Sequence, residues 1–233
     1  MKSTGLRSRD IYTSTKEIYT RRYPRGKGIV ITQSFLRLQS AILATLSSIE
    51  FGLLVNELAP GASTVDPTEK RLSIVDNFLI TEMKISLVKR PTGQTVAQKA
   101  ESLFPNPLIF TGANEAANFH VVYNGLMNLQ INGDTILDSW DVVRHYRVGT
   151  AQKGVNLNAT GAAADKYQAD SFENGTVGFY PVTPQIEVRG NAKNRFRIEL
   201  PGSTNLAGTA SDNFVILTLR GLLIQNGSST AQR

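Results

Sequence analysis

From Ile29 onward, apolar and polar residues alternate with a period of two over much of the chain. In DNFLITEMKISLVKR (76–90), Met83, Ile85 and Leu87 fall on one side and Glu82, Lys84 and Ser86 on the other. That is the pattern of a half-buried β-strand, and Pro91 closes it. IVITQSFLRL (29–38) mixes β-branched residues with alternating polar ones. SSIEFGLLVNEL (47–58) places Ile49, Phe51 and Leu53 two apart. LMNLQINGDTIL (126–137) reads as a hairpin. Met127, Leu129 and Ile131 alternate, Asn132-Gly133 suits a type I′ turn, and Ile136 lies on the return strand. PQIEVRGNAKNRFRIEL (184–200) predicts two strands around Gly190 to Asn194, and NFVILTLRGLLIQNG (213–227) a strongly apolar one.

Between these runs the spacing predicts other elements. TVAQKAESLF (95–104) reads as a short helix closed by Pro105. A further strand is expected near Phe119 to Tyr123, with His120 alternating between Phe119 and Val121. APGASTVDPTEK (59–70) is a loop. Residues 149–178 carry almost no large apolar side chain, which is long for a structureless connection and marks a functional or subunit-held segment.

The sum is about eight strands, one or two short helices and no βαβ alternation. The fold class expected is an all-β antiparallel sandwich, single jelly-roll-like, with an extended N-terminal arm. Strands from the two ends of the chain should pair. The expected core is Phe78, Ile80, Met83, Ile85, Leu87, Phe196, Ile198, Phe214, Ile216 and Leu219. The division expected is an arm over 1–28, a body over 29–227 and a loose tail over 228–233.

Charge changes this picture at one end only. Lys2, Arg7, Arg9, Lys16, Arg21, Arg22, Arg25 and Lys27 face only Asp10 and Glu17 across residues 1–28, a net charge of +6. The whole chain of 233 residues is also +6, so the body balances. Such an arm can contact a polyanion, each phosphate neutralised adding about −0.9 to the log–log salt slope on duplex DNA. Tyr12, Tyr19 and Tyr23 are placed to stack on bases. It can equally reach a neighbouring subunit, acidic lipid or a genome inside a shell.

Concentrated reactive chemistry is not visible. The chain has no cysteine, which excludes disulfides, thiolate zinc sites and a cysteine nucleophile. His120 and His145 have no partner at metal-ligand spacing, and both read as structural or interface residues. Asp134, Asp138 and Asp141 do not match a calcium loop; a turn and a helix N-cap explain Asp134 and Asp138. No phosphate-binding loop or nucleophile elbow occurs. The expectation is a non-enzymatic chain without cofactor or metal. Trp140, Arg144, His145, Tyr146 and Arg147, in SWDVVRHYRVG, form a candidate interface. The N-terminus lacks the apolar run of a secretory signal, and FLRLQSAILATLSSIEFGLLV (35–55), with Arg37 and Glu50, is a poor membrane span.

A basic arm, a cysteine-free all-β body and long polar loops resemble single jelly-roll capsid proteins. FPNPLIFTGANEAANFHVVYNGLMNLQINGDTILDSWDVVRHYRVGTAQ, GFYPVTPQIEVRGNAKNRFRIELP and NFVILTLRGLLIQNG are similar to small capsid-type proteins of bacterial viruses, over about half the chain. The resemblance implies a shell-building or shell-attached role in a virion. The partners implied are copies of the chain, other virion proteins, and genome or acidic lipid through the arm. Two other readings stay open: a sequence-independent nucleic-acid-binding β-module, and a glycan-binding sandwich of a phage tail that uses Trp140.

Overall fold

The computed structural model describes residues 30–42, 45–57, 69–89, 101–106, 109–110, 115–148, 152–153, 167–168, 177–202 and 213–230, with Thr13, Ser14, Lys16, Glu17 and Arg21. Its strands are β1 (Val30–Ala41), β2 (Ser48–Phe51), β3 (Asn77–Lys89), β4 (Leu126–Ile131), β5 (Asp134–Asp141), β6 (Gln152–Lys153), β7 (Tyr167–Gln168), β8 (Tyr180–Arg189), β9 (Asn194–Glu199) and β10 (Asn213–Gln225). Two four-stranded antiparallel sheets result, ordered β1-β10-β3-β8 and β2-β9-β4-β5, while β6 and β7 pair separately. This is the all-β sandwich expected, and the chain's ends pair as expected, from Val30 opposite Gln225 to Ala41 opposite Phe214.

The interior between the sheets is apolar. Leu36, Leu38, Ile49, Phe51, Phe78, Ile80, Met83, Ile85, Leu87, Met127, Leu129, Phe196, Ile198, Val215, Leu217 and Leu219 are buried in one cluster. Each such side chain contributes about 1.5–3 kcal/mol of transfer free energy, which makes this cluster the main driving force for the fold. Phe214 and Ile216 are buried too, but with Val88 in a separate cluster. Alternation along β10 turns them away from Val215 and Leu217, so their place in the main core is corrected.

A bulge explains how both halves of β3 reach that core. Arg220 stands opposite Glu82 and Gly221 opposite Ile80, leaving Thr81 as the extra residue. Inward positions therefore change from even (Phe78, Ile80) to odd (Met83, Ile85, Leu87). The strand is also covered on both faces, not half-buried; Ser86 is fully inaccessible.

Several other expectations are corrected. Glu115–Tyr123 is an α-helix, α1, not a strand. Phe119, Val122 and Tyr123 reach the core at helical spacing, Phe119 packing edge-on to Phe110 at 4.7 Å, while His120 is exposed. Glu101–Phe104 is not helical. Ser102 exchanges both backbone hydrogen bonds with Leu87, extending the sheet beside β3 where β8 has ended. Thr95 to Ala100 lie outside the described residues. Thr13, Ser14, Lys16, Glu17 and Arg21 are exposed and helical, where an extended arm was expected. The tail is not loose at its start. Ser228 is buried in the short helix α2 (Gly227–Thr230), donating to Asp76 O at 3.1 Å and to Asn77 Oδ1 at 2.5 Å.

The strand connections differ at the two ends of the sandwich. One end carries tight turns, Asn132-Gly133 between β4 and β5 and Gly190–Lys193 between β8 and β9, latched where Asn132 N–H donates to Lys193 O at 2.8 Å. Asn132 and Gly133 have φ of 54° and 94°, as a type I′ turn requires. The other end gathers Glu101–Phe104, α1, a 3-10 helix at Val142–His145 and Val177–Phe179. There Arg147 N–H donates to Leu103 O at 3.1 Å.

Candidate interface

The residues of SWDVVRHYRVG are assembled at this second end. β5 leads into the 3-10 helix, whose N-cap is Asp141; its carboxylate accepts Val143 N–H at 3.1 Å. The cap expected at Asp134 or Asp138 thus belongs to Asp141. The helical turn brings His145 back beneath Trp140. The indole Nε1–H donates to His145 Nε2 at 3.0 Å, and His145 Nδ1 lies 3.0 Å from Gly178 O. Since Nε2 accepts, Nδ1 carries the proton and donates to the carbonyl. Tyr180 meets the imidazole edge-on, ring centroids 5.6 Å apart.

His145 is fully buried. It belongs beneath the candidate interface, not in its exposed surface. Burial pushes its pKa down from 6.5 to about 4; the Gly178 hydrogen bond opposes this, and the charges of Arg144 and Arg147 add to it. The ring is neutral at pH 7. Tyr123, also buried, is held protonated, its pKa raised by burial first and then by Tyr146 and Glu101.

Arg144 and Arg147 lie outside this buried hub and are exposed. The Arg144 guanidinium lies over the Trp140 ring at 5.1 Å and that of Arg147 over Tyr180 at 5.4 Å. Arg147 also donates to Tyr146 O at 3.2 Å and to the Tyr180 hydroxyl. Neither has a carboxylate partner among the described residues. By contrast, Arg37, Arg71, Arg189, Arg195, Arg197 and Arg220 each pair with a carboxylate at 3.9 Å or less. Cation–π contact and a rigid planar fork hold these two charges in place without neutralising them. Val143 and Val148, 46% and 61% exposed, flank them.

Glu101 organises a neighbouring network on the outer face of the β1-β10-β3-β8 sheet. Its carboxylate receives Lys84 Nζ at 2.5 Å, Ser86 Oγ at 2.9 Å and Arg37 Nε at 3.2 Å. Burial disfavours its charge, but Lys84, Ser86 and Arg37 outweigh that, and its carboxyl sits below the usual range. Phe179 lies against one of these cations, Lys84 at 5.2 Å, and against Arg220, which pairs with Glu82, at 3.7 Å.

Sequence reasoning missed Tyr180, Phe179 and Gly178. GFYP stands 33 residues from Arg147, and no periodicity links them; two aromatics beside a strand start were the only signal. It also missed Glu101, which was assigned to a helix. Of the basic arm, Lys16 and Arg21 are exposed; Lys2, Arg7, Arg9, Arg22, Arg25 and Lys27 lie outside the described residues, as does most of 149–178. Among the described residues no three His, Cys, Asp or Glu side chains are grouped to hold a metal, and no helix is long and apolar enough to cross a membrane. Comparison with protein-family models, curated proteins and solved structures finds no match to this chain.

Proposed function

We propose that the chain is a wall-forming subunit of a virion shell, non-enzymatic, that packs side by side with copies of itself and uses its basic N-terminal segment as a fastener. The strand connectivity carries this reading. With β6 and β7 set aside, successive strands cross between the sheets at every step except the β4–β5 hairpin. The first strand lies beside the last, which supports two interlocked Greek keys, the jelly-roll arrangement common in capsid subunits. The tight β4–β5 and β8–β9 turns share one end of the sandwich, and residues 101–104, α1 and the 3-10 helix gather at the other. The body is charge-balanced while residues 1–28 carry the whole net charge of +6, so walls and fastening are separable tasks.

Native mass spectrometry of the full chain and of a variant lacking residues 1–28 tests this. The full chain is expected as rings, capsomers or shells. The truncated chain is expected to fold but to lose assembly or its cargo. A full chain that stays monomeric at high concentration overturns the reading, as does a body that fails to fold without the segment.

A further inference from the structure

Within that shell reading, on which this inference rests, we infer that Arg144 and Arg147 of one subunit dock on Asp134 and Asp138 of the next, a head-to-tail contact between copies of this chain. The two arginines are the body's uncompensated guanidiniums among the described residues, and both are exposed. Asp134 and Asp138 are exposed on β5 and make no ion pair among the described residues; Asp138 accepts only from Ser139 Oγ, at 3.2 Å. One strand and the turn that follows it thus present unneutralised charge of both signs.

These charges do not satisfy each other within a subunit. β5 pairs from Asp134 opposite Ile131 to Asp141 opposite Leu126, with two register shifts and Ser139 at φ 52°, so it covers only the five residue steps of β4, about 17 Å. The strand therefore holds Asp134 away from the arginine turn; Asp138, three residues before Asp141, lies nearer to it but forms an ion pair with neither arginine among the described residues. Each patch also carries exposed aliphatic surface. Val143 and Val148 flank the arginines, and Ile136, 50% exposed, lies between the aspartates. Asp134 and Ile136 line a cleft of about 410 Å³ between β5 and β8, the edge strands of the two sheets. An aromatic-braced basic turn and the exposed aspartates of β5 carry complementary charge, and docking of one on the other between copies is a heterologous contact, able to close into rings or extend. Bracing by Trp140 and Tyr180 holds the guanidiniums in place before docking, so less freedom is lost on contact.

Charge reversal tests this by sedimentation velocity and native mass spectrometry at about 0.1 M salt, with thermal melts to establish that each variant folds. Arg144→Glu with Arg147→Glu, and separately Asp134→Lys with Asp138→Lys, are each expected to weaken self-association at least about tenfold. Mixing the two variants, or combining all four changes in one chain, should restore it. Wild-type assembly that survives both reversals leaves the shell reading standing and overturns this contact. Failure of the fourfold swap to recover association in a folded chain also overturns it. Loss of binding to a single-stranded oligonucleotide in the arginine variant, with assembly unchanged, assigns the arginines to phosphate and overturns it too. A wild-type chain that is monomeric throughout removes both proposals together.

Discussion

Trp140 and His145 lock each other in place: the indole N–H occupies Nε2 of a buried imidazole whose other nitrogen is committed to Gly178 O. A second proton has nowhere to go without breaking the tryptophan bond. Because Arg144 stacks on that same indole, the buried hub positions an exposed charge.

Stability should therefore fall in acid. The folded-state pKa of His145, about 4, lies below its ordinary value of 6.5. Between those values the unfolded chain binds a proton that the folded chain refuses. Stability from this group is complete above pH 6.5 and declines as pH falls toward 4, by on the order of 3 kcal/mol. Glu101 adds to the loss at lower pH, since its depressed carboxyl stabilises the fold only while ionised. Urea unfolding across a pH series should show this slope. His145→Phe should flatten the slope between 6.5 and 4 while costing about 2 kcal/mol at pH 7, from the orphaned indole and carbonyl. An unchanged slope in that variant would refute the assignment.

The pair Glu69–Arg71 is buried, with side chains 3% and 2% exposed and Nη2 at 3.0 Å from both carboxylate oxygens. Glu69 also accepts Gln39 N–H at 2.7 Å, and Arg71 donates to Glu57 O. Glu69→Gln should cost about 3–5 kcal/mol by leaving a buried charge uncompensated. Glu69→Leu with Arg71→Met should cost less than the two single changes summed. A double-mutant cycle by chemical denaturation measures the coupling, and simple additivity would contradict it.

Gly221 sits at the β3 bulge, where an added Cβ would come 1.7 Å from Leu79 O. Backbone on both sides is fixed by sheet pairing, so Gly221→Ala should cost roughly 3 kcal/mol or more. Gly202, with nothing within 4 Å, serves as control and should change by less than about 0.5 kcal/mol. Equal melting shifts for the two variants would count against the bulge geometry.

At the tight-turn end, Asn132 combines a φ of 54° with a side-chain oxygen that accepts Lys193 N–H at 2.9 Å. Asn132→Ala should lose about 1–2 kcal/mol, from left-handed strain and the missing bond. Asn132→Gly should recover the strain part alone. Equilibrium unfolding of the three proteins separates the contributions.

Legibility differed by element. The hairpin of β4 and β5 was readable because Asn-Gly specifies its turn locally and Met127 and Leu129 alternate beside it. The helix α1 was misread because Phe119, Val121 and Tyr123 also satisfy a period of two. What decides is that Phe119, Val122 and Tyr123 meet a core already walled by strands. Ser102 falls within the helix expected over 95–104 and closed by Pro105. The open edge beside Leu87 claims its backbone instead. The interface was legible only as a cluster of arginine and aromatic residues; which member is buried depends on Gly178 and Tyr180, distant in sequence.

The order of side chains along the chain alone determined that this protein is a sandwich of antiparallel strands with its charge excess confined to residues 1–28. Alternation and net charge are local properties, and burial of one strand face follows from them directly. Tertiary structure alone decided that His145 goes inside while Arg144 and Arg147 stay out, and that β3 shifts its inward face at Thr81. Those outcomes depend on groups far apart in sequence competing for the same hydrogen bonds and the same space, which no local pattern encodes.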